Sequence, residues 1–88
     1  MYRLKVKGNE ANLAAGIGNS TTVGSATLVR VVNASGGSVV VVLRDSAYSG
    51  IGSITMLNNT SEVIEKTGSD LVHVLGGTVQ VVKVGFTQ

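Results

Sequence analysis

The stretch SATLVRVVNASGGSVVVVLR, residues 25–44, determines the fold of this chain. Valine dominates it, and β-branched side chains favour the pleated, half-buried environment of a sheet. It predicts two strands, Ala26–Asn33 and Ser38–Leu43, joined as a hairpin by a turn at residues 34–37. The two glycines of that turn tolerate positive φ, so the chain can reverse tightly there.

The second of these strands has no polar face. Val39–Leu43 is apolar without a break, whereas a strand exposed on one side would alternate apolar and polar residues. Both of its faces should therefore be covered. In an antiparallel protein of this length, one face meets the domain's own core. We expect a neighbouring subunit to cover the other.

Further strands are predicted on both sides of this stretch. Residues 1–7 alternate apolar and basic side chains, which suits a charged sheet edge. Towards the carboxyl end, turn signals separate strands at 52–57, 60–66, 71–75 and 78–86, and Gly76-Gly77 predicts a hairpin between the last two. About seven short strands and no convincing helix indicate a single all-β domain over residues 1–88, a small antiparallel β-sandwich or barrel.

Residues 9–24, the 9–24 segment, stand apart from this pattern. Ala11–Ala15 has the composition for one helical turn, but Gly16 and Gly18 would end it. Long segments without regular structure are uncommon in compact domains and often functional. We expect either an extended arm laid across a neighbour or a mobile surface loop.

Size and composition favour assembly. A chain of 88 residues buries a modest core, and it has no cysteine for disulfides and a single histidine. Charged residues make up 14%, against about 25% in typical proteins, and the mean hydropathy is +0.35. Oligomerisation is the common remaining stabiliser for so small a domain. We therefore expect a homo-oligomer or a stable place in a larger assembly.

Charge and hydropathy argue against other partners. The net charge of +2 comes from seven basic residues that are mostly scattered, which is not the clustered basic footprint of a nucleic-acid-binding protein. No apolar run approaches the roughly 20 residues of a membrane span. Residues 1–8 lack the apolar core of an export signal, so we expect synthesis in a cytoplasm.

Candidate catalytic and metal-binding residues are few. Asp70 and His73 with a serine would make a hydrolase triad, but no nucleophile-elbow motif accompanies them, and His73 lies between valines. Glu62 and Glu65 are close in sequence but point to opposite faces of a strand, which disfavours a shared metal. We expect no enzymatic activity, no cofactor and no metal.

Several stretches resemble the small all-β virion structural proteins of tailed bacteriophages. They are ATLVRVVN at 26–33, ITMLNNTSEVIEK at 54–66, DLV at 70–72 and VQVVKVGF at 79–86. The resemblance covers residues 25–87 and leaves residues 8–24 outside. It implies a structural protein of the virion, made in the host cytoplasm: a capsid decoration (cement) protein, or a component of the head–tail junction, baseplate, or fibre or spike base. It implies no catalytic residues.

On this hypothesis the chain contacts capsid or other virion proteins through apolar strand faces, the 9–24 segment and basic residues of the first strand. The expected contact residues are Arg3, Lys5, Leu13, Ile17, Val39, Val41 and Leu43. The alternative is a glycan- or receptor-binding β module. Carbohydrate platforms use exposed aromatic rings, and only Tyr2 and Tyr48 are offered for that role.

Overall fold

The computed structural model describes residues 3–87 of the chain. Within them lie eight strands and one turn of 3₁₀ helix at Ile17–Asn19. The strands are β1 (Arg3–Val6), β2 (Ala11–Ala14), β3 (Leu28–Asn33), β4 (Val39–Arg44), β5 (Gly50–Met56), β6 (Thr60–Glu65), β7 (Leu71–Leu75) and β8 (Thr78–Thr87).

The strands form two antiparallel sheets that pack face to face. The larger sheet has the order β1-β8-β3-β6, and β2 pairs with β8 next to β1 on the same edge. The smaller sheet has the order β5-β4-β7. This architecture confirms the predicted small all-β fold. A register shift between Leu43 and Arg44 leaves Ile51 of β5 without a partner in β4, which is a β-bulge.

The core lies between the two sheets and is built almost entirely from valine. Alternation along each strand sends every second side chain inward. In β4 these are Val39 and Val41, which are 1% and 3% exposed. They pack with Ala26, which precedes β3, and with the inward residues of the other strands, namely Leu13, Val29, Val31, Met56, Val72, Val74, Val79 and Val81.

Both hairpins predicted around glycines are wrong. β3 pairs with β6 and β8, whereas β4 pairs with β5 and β7, so residues 34–38 cross from one sheet to the other. Gly76-Gly77 likewise connects β7 of the smaller sheet to β8 of the larger one. The physical reason is burial. As a crossover, the connection sets the apolar faces of β3 and β4 against each other across the core, which a hairpin within one sheet would not do.

Asn33 holds together two connections between the sheets, β3–β4 and β5–β6. Its side chain is fully buried, and its Nδ2 donates to the carbonyls of Gly37 and Met56 at 2.9 Å each. Its Oδ1 accepts from the backbone N–H of Ser35 at 3.1 Å and from the Ser35 hydroxyl at 2.7 Å. The backbone carbonyl of Asn33 accepts from the N–H of Asn59 at 2.7 Å. One residue thus fixes the connections β3–β4 and β5–β6 at one end of the sandwich.

The 9–24 segment is part of the sandwich and not a projecting arm. Ala11–Ala14 pairs with β8 and directs Leu13 into the core. Farther along, the N–H of Gly16 donates to the carbonyl of Val74 at 3.0 Å, and Thr21 exchanges two backbone hydrogen bonds with Val72. The segment therefore covers the edge of β7. It is held there by hydrogen bonds to β7 backbone groups that would otherwise be free, and the composition of the segment does not predict these bonds.

Candidate interaction surfaces

The outer side of the smaller sheet carries an apolar surface. Val40 and Val42, which alternate with the core valines of β4, are half-buried, while Ile51 and Leu75 beside them are each 54% exposed. These four side chains, the small-sheet face, line a shallow depression of about 330 Å³ together with Gly50, Gly52 and Ser53. Outer sheet positions in a monomeric sandwich usually alternate to polar residues. Here they do not.

The outer side of the larger sheet also carries exposed apolar side chains, among polar ones such as Gln80 and Glu65. Leu4 pairs with Phe86 and Val6 with Val84, which places all four on one face of the sheet. Leu4, Phe86 and Val63 are exposed, and Val6 is 64% exposed. Val84 is buried on this side, so we call the four exposed residues Leu4, Val6, Val63 and Phe86 the large-sheet face. Arg30, which pairs with Val63, places a charge within this surface.

The sandwich is open along the side where β5 and β6 lie. Both are edge strands, and an apolar cleft of about 280 Å³ enters the core between them. Leu43, Ile54 and Ile64 line it, with Val41 and Val72 at its base. On the opposite side, the 9–24 segment covers the β7 edge. A depression of about 590 Å³ lies beneath that segment, with Lys7 and Lys83 among its lining residues.

His73 is buried although it lies on the outer side of the smaller sheet. It pairs with Val42 and is 1% exposed, and its Nε2 accepts a hydrogen bond from Nε of Arg44 at 2.9 Å. Burial lowers the pKa of His73, and the neighbouring Arg44 guanidinium lowers it further. An imidazole that accepts from a guanidinium is neutral. Arg44 also donates to the carbonyl of Tyr48 at 3.0 Å, so this pair fastens the β4–β5 turn to β7.

Asp70, which was considered for a catalytic triad, has a local structural contact. The Asp70 carboxylate accepts from the backbone N–H of Thr67 at 3.0 Å and so closes its own turn. Among residues 3–87, no three His, Cys, Asp or Glu side chains converge as a metal site would require. The described part of the chain also contains no helix long and apolar enough to cross a membrane.

The structure separates the seven residues predicted to contact partners into two groups. Arg3, Lys5 and Ile17 are exposed, and Leu43 is half-buried in the open cleft. Leu13, Val39 and Val41 lie in the core, where the protein's own strands cover them. The prediction that these three contact partners is therefore corrected.

The residues of β4 that do face outward are Val40 and Val42. One signal in the sequence identifies this face. Arg44 lies two residues after Val42, and a charged residue marks the side of a strand that points away from the core.

Of the two aromatic residues considered for glycan binding, Tyr48 is exposed at the β4–β5 turn, and Tyr2 lies outside the described residues. Comparison of the chain with models of known protein families, with curated proteins and with solved structures gives no match.

Proposed function

We propose that this chain is a structural protein of a bacteriophage virion, a capsid decoration protein that binds and stabilises the capsid without catalysis. The observation that carries the proposal is that the outer side of each sheet exposes several large apolar side chains. Contiguous exposed apolar patches on small soluble proteins mark sites of interaction. The resemblance of residues 25–87 to small all-β virion proteins supplies the biological setting.

The mechanism that these surfaces support is burial by shape complementarity. Covering a half-exposed Ile51 or Leu75 removes apolar area from water at about 25 cal/mol per Å². Each such contact is small. A decoration protein repeats it at many symmetric positions on a particle, and linked contacts then sum to a binding strength that none reaches alone. Such a function needs surfaces and no reactive group.

Particles purified from the source phage provide the direct test. Peptide mass spectrometry should find the chain in washed particles at a fixed ratio to the major capsid protein. A copy number near that of the capsid protein fits decoration, whereas a few copies per particle fit a head–tail, baseplate, or fibre- or spike-base position. Abundant chain in the lysate with none in the particles would overturn the proposal.

A variant pair then connects incorporation to the small-sheet face. Val42→Asp places a carboxylate on that face, and we expect it to reduce incorporation into particles. Ser46→Asp adds the same charge at an exposed position of the β4–β5 turn and serves as the matched control. Equal incorporation of the two variants would remove the small-sheet face from the proposed contact.

The second candidate function is glycan or receptor binding, and the exposure of Tyr48 is the observation that favours it. Tyr48 lies on a turn closed by Asp45, whose carboxylate accepts from the N–H groups of Ala47 and Ser49 at 2.9 and 3.0 Å. A rigid turn that presents an aromatic ring suits a sugar face. Reproducible glycan-array signals that disappear in Tyr48→Ala would favour this function over decoration.

A further inference from the structure

The two edges of the larger sheet carry opposite charges. β1 lies at one edge, and Arg3 and Lys5 on it are exposed, as is Lys7 directly after it. β6 lies at the other edge and exposes Glu62 and Glu65. An unpaired sheet edge is a template for another strand, and its charges decide which strand it accepts. The basic edge is therefore complementary to the acidic one.

The backbone groups available at these edges follow from the hydrogen bonds already made. The N–H of Lys7 donates to Lys83 of β8, so in β1 the groups of Leu4 and Val6 point away from the sheet. At the other edge the N–H of Lys66 donates to Thr27 beside β3. By the same alternation, the groups of Ser61, Val63 and Glu65 point away from the sheet.

Strand direction also fits. Every pairing along β1-β8-β3-β6 is antiparallel, so β1 and β6 run in opposite directions. If a second copy keeps the orientation of the first and extends the sheet, its β1 lies antiparallel beside β6.

We infer that copies of this chain associate head to tail, with β1 of one copy pairing with β6 of the next. The register places Leu4 opposite Val63 and Lys5 opposite Glu62. Leu4 and Val63 both lie on the large-sheet face, which becomes continuous from copy to copy. Lys5 shares the inner side of the sheet with Gly85, its partner in β8, and Glu62 shares that side with Ile64. Apolar residues then meet on one side and opposite charges on the other.

Neighbouring arrangements are less favourable. A shift of two residues in one direction places Arg3 opposite Lys66 and Leu4 opposite Glu65. In the other direction Arg3 lies opposite Glu62, but Leu4 then lies opposite Ser61 and the apolar pair is lost. Pairing of two β1 edges places Arg3 opposite Lys5, and like charges in a cross-strand pair cost stability. Pairing of two β6 edges adjoins two edges that both expose Glu62 and Glu65. A contact between different edges is heterologous, so it produces a closed ring or an open filament. The inference rests on the proposed function only in treating the chain as an assembling structural protein.

Cysteine cross-linking tests the register, because the natural sequence contains no cysteine. Leu4 and Val63 would form a hydrogen-bonded antiparallel pair, whose Cα atoms are about 5.5 Å apart, within reach of a disulfide. Leu4→Cys and Val63→Cys chains, mixed and mildly oxidised, should give a disulfide-linked heterodimer. Each variant alone should stay monomeric on a non-reducing gel. Homodimers without heterodimer, or no cross-link at all, would overturn the inference.

Charge reversal tests the pairing in solution. Lys5→Glu should weaken self-association, measured by sedimentation velocity, at least about tenfold, which corresponds to 1.4 kcal/mol. The double variant Lys5→Glu with Glu62→Lys should restore it, because the pair is inverted and not removed. Ser46→Glu, which adds charge away from both edges, should leave association unchanged. Both reversed positions are exposed, and circular dichroism verifies that each variant is folded.

The two proposals fail in different ways. If Lys5→Glu dissociates the oligomer and Glu62→Lys restores it, yet the chain is absent from particles, the proposed function is wrong and head-to-tail pairing stands. If the chain is present in particles but associates equally well with and without Lys5→Glu, the pairing is wrong and the proposed function stands.

Discussion

Replacement of Asn33 by alanine should be one of the most destabilising single substitutions in this protein. The residue is fully buried, and its carboxamide bonds two crossovers that are distant in sequence. Alanine keeps the strand but removes both the donor and the acceptor. The carbonyl of Met56 then loses its bond to Nδ2 inside the core, where Met56 itself is buried.

The expected magnitude comes from the individual bonds. Nδ2 makes two bonds of 2.9 Å and Oδ1 accepts one backbone bond of 3.1 Å, each worth about 1 kcal/mol net. The bond from the Ser35 hydroxyl adds little, because Ser35 is exposed and water can replace it. The loss of about 3 kcal/mol compares with a total stability of about 4–13 kcal/mol for a domain of this length.

Urea unfolding at fixed protein concentration measures this loss. With a slope of about 1 kcal/mol/M, the unfolding midpoint of Asn33→Ala should fall by about 3 M. Asn12→Ala is the matched control, because Asn12 is exposed and its side chain makes one surface bond, to Gln80 at 3.2 Å. Its midpoint should move by less than about 0.5 M. An Asn33→Ala midpoint within that same range would refute the role assigned to the carboxamide.

Three further predictions concern single positions. Gly76 and Gly77 both have positive φ, but a Cβ on Gly77 would lie 3.1 Å from Val39, whereas one on Gly76 would meet nothing within 4 Å. The urea midpoint of Gly77→Ala should therefore be about 1–3 M lower than that of Gly76→Ala. Equal midpoints would contradict this packing. Burial lowers the pKa of Lys66, so the folded state releases this proton at a lower pH than the unfolded state does. The free energy of unfolding of the wild type should therefore rise relative to that of Lys66→Met as the pH increases towards 10.5. Parallel profiles of stability against pH for the two proteins would contradict this prediction. Burial also lowers the pKa of His73, so as the pH falls the unfolded state binds the proton first, and the free energy of unfolding should decrease below about pH 6.5. His73→Gln should remove that pH dependence. An unchanged slope of stability against pH in this variant would assign the dependence to other groups.

The sequence predicts where strands lie better than it predicts which strands pair. Leu71–Leu75 is predicted within its observed bounds, and β4 is displaced by a single residue. The side-chain alternation of β7 also places Val72 and Val74 on one face and His73 on the other, as the core and the pairing with β4 show. These features are local, since side chains two residues apart share a face of the strand.

Pairing is not local, and it is where the predictions fail. A glycine pair such as Gly76-Gly77 indicates that the chain reverses, but it does not indicate whether the next strand stays in the same sheet. That choice depends on which faces can be buried together. β2 fails for a related reason, because Ala11–Ala14 has no β-branched residue and becomes a strand only by pairing with β8. Its one inward side chain, Leu13, is the only local signal of that position.

The proposed surfaces were predictable in kind but not in detail. The unbroken apolar run at 39–43 indicates two covered faces, and the structure covers one of them with the protein's own core. The sequence does not fix which alternate residues face inward until the partners of β4 are known. The charges of β1 and β6 are visible in the sequence, but their opposition becomes apparent only when the topology places those strands at opposite edges of one sheet.

The apolar faces and the free edges have a common origin. A two-layer sandwich buries one face of each sheet, so a strand such as β4, apolar on both sides, has more apolar surface than its own core can cover. Helices usually cover such faces, but residues 3–87 form only one 3₁₀ turn. Partners at the edges would satisfy backbone groups, and partners on the faces would cover side chains, so neither replaces the other. A place in a shell supplies both, with sister subunits at the sheet edges and a capsid surface against one face, which is why we favour decoration over a solitary binding module.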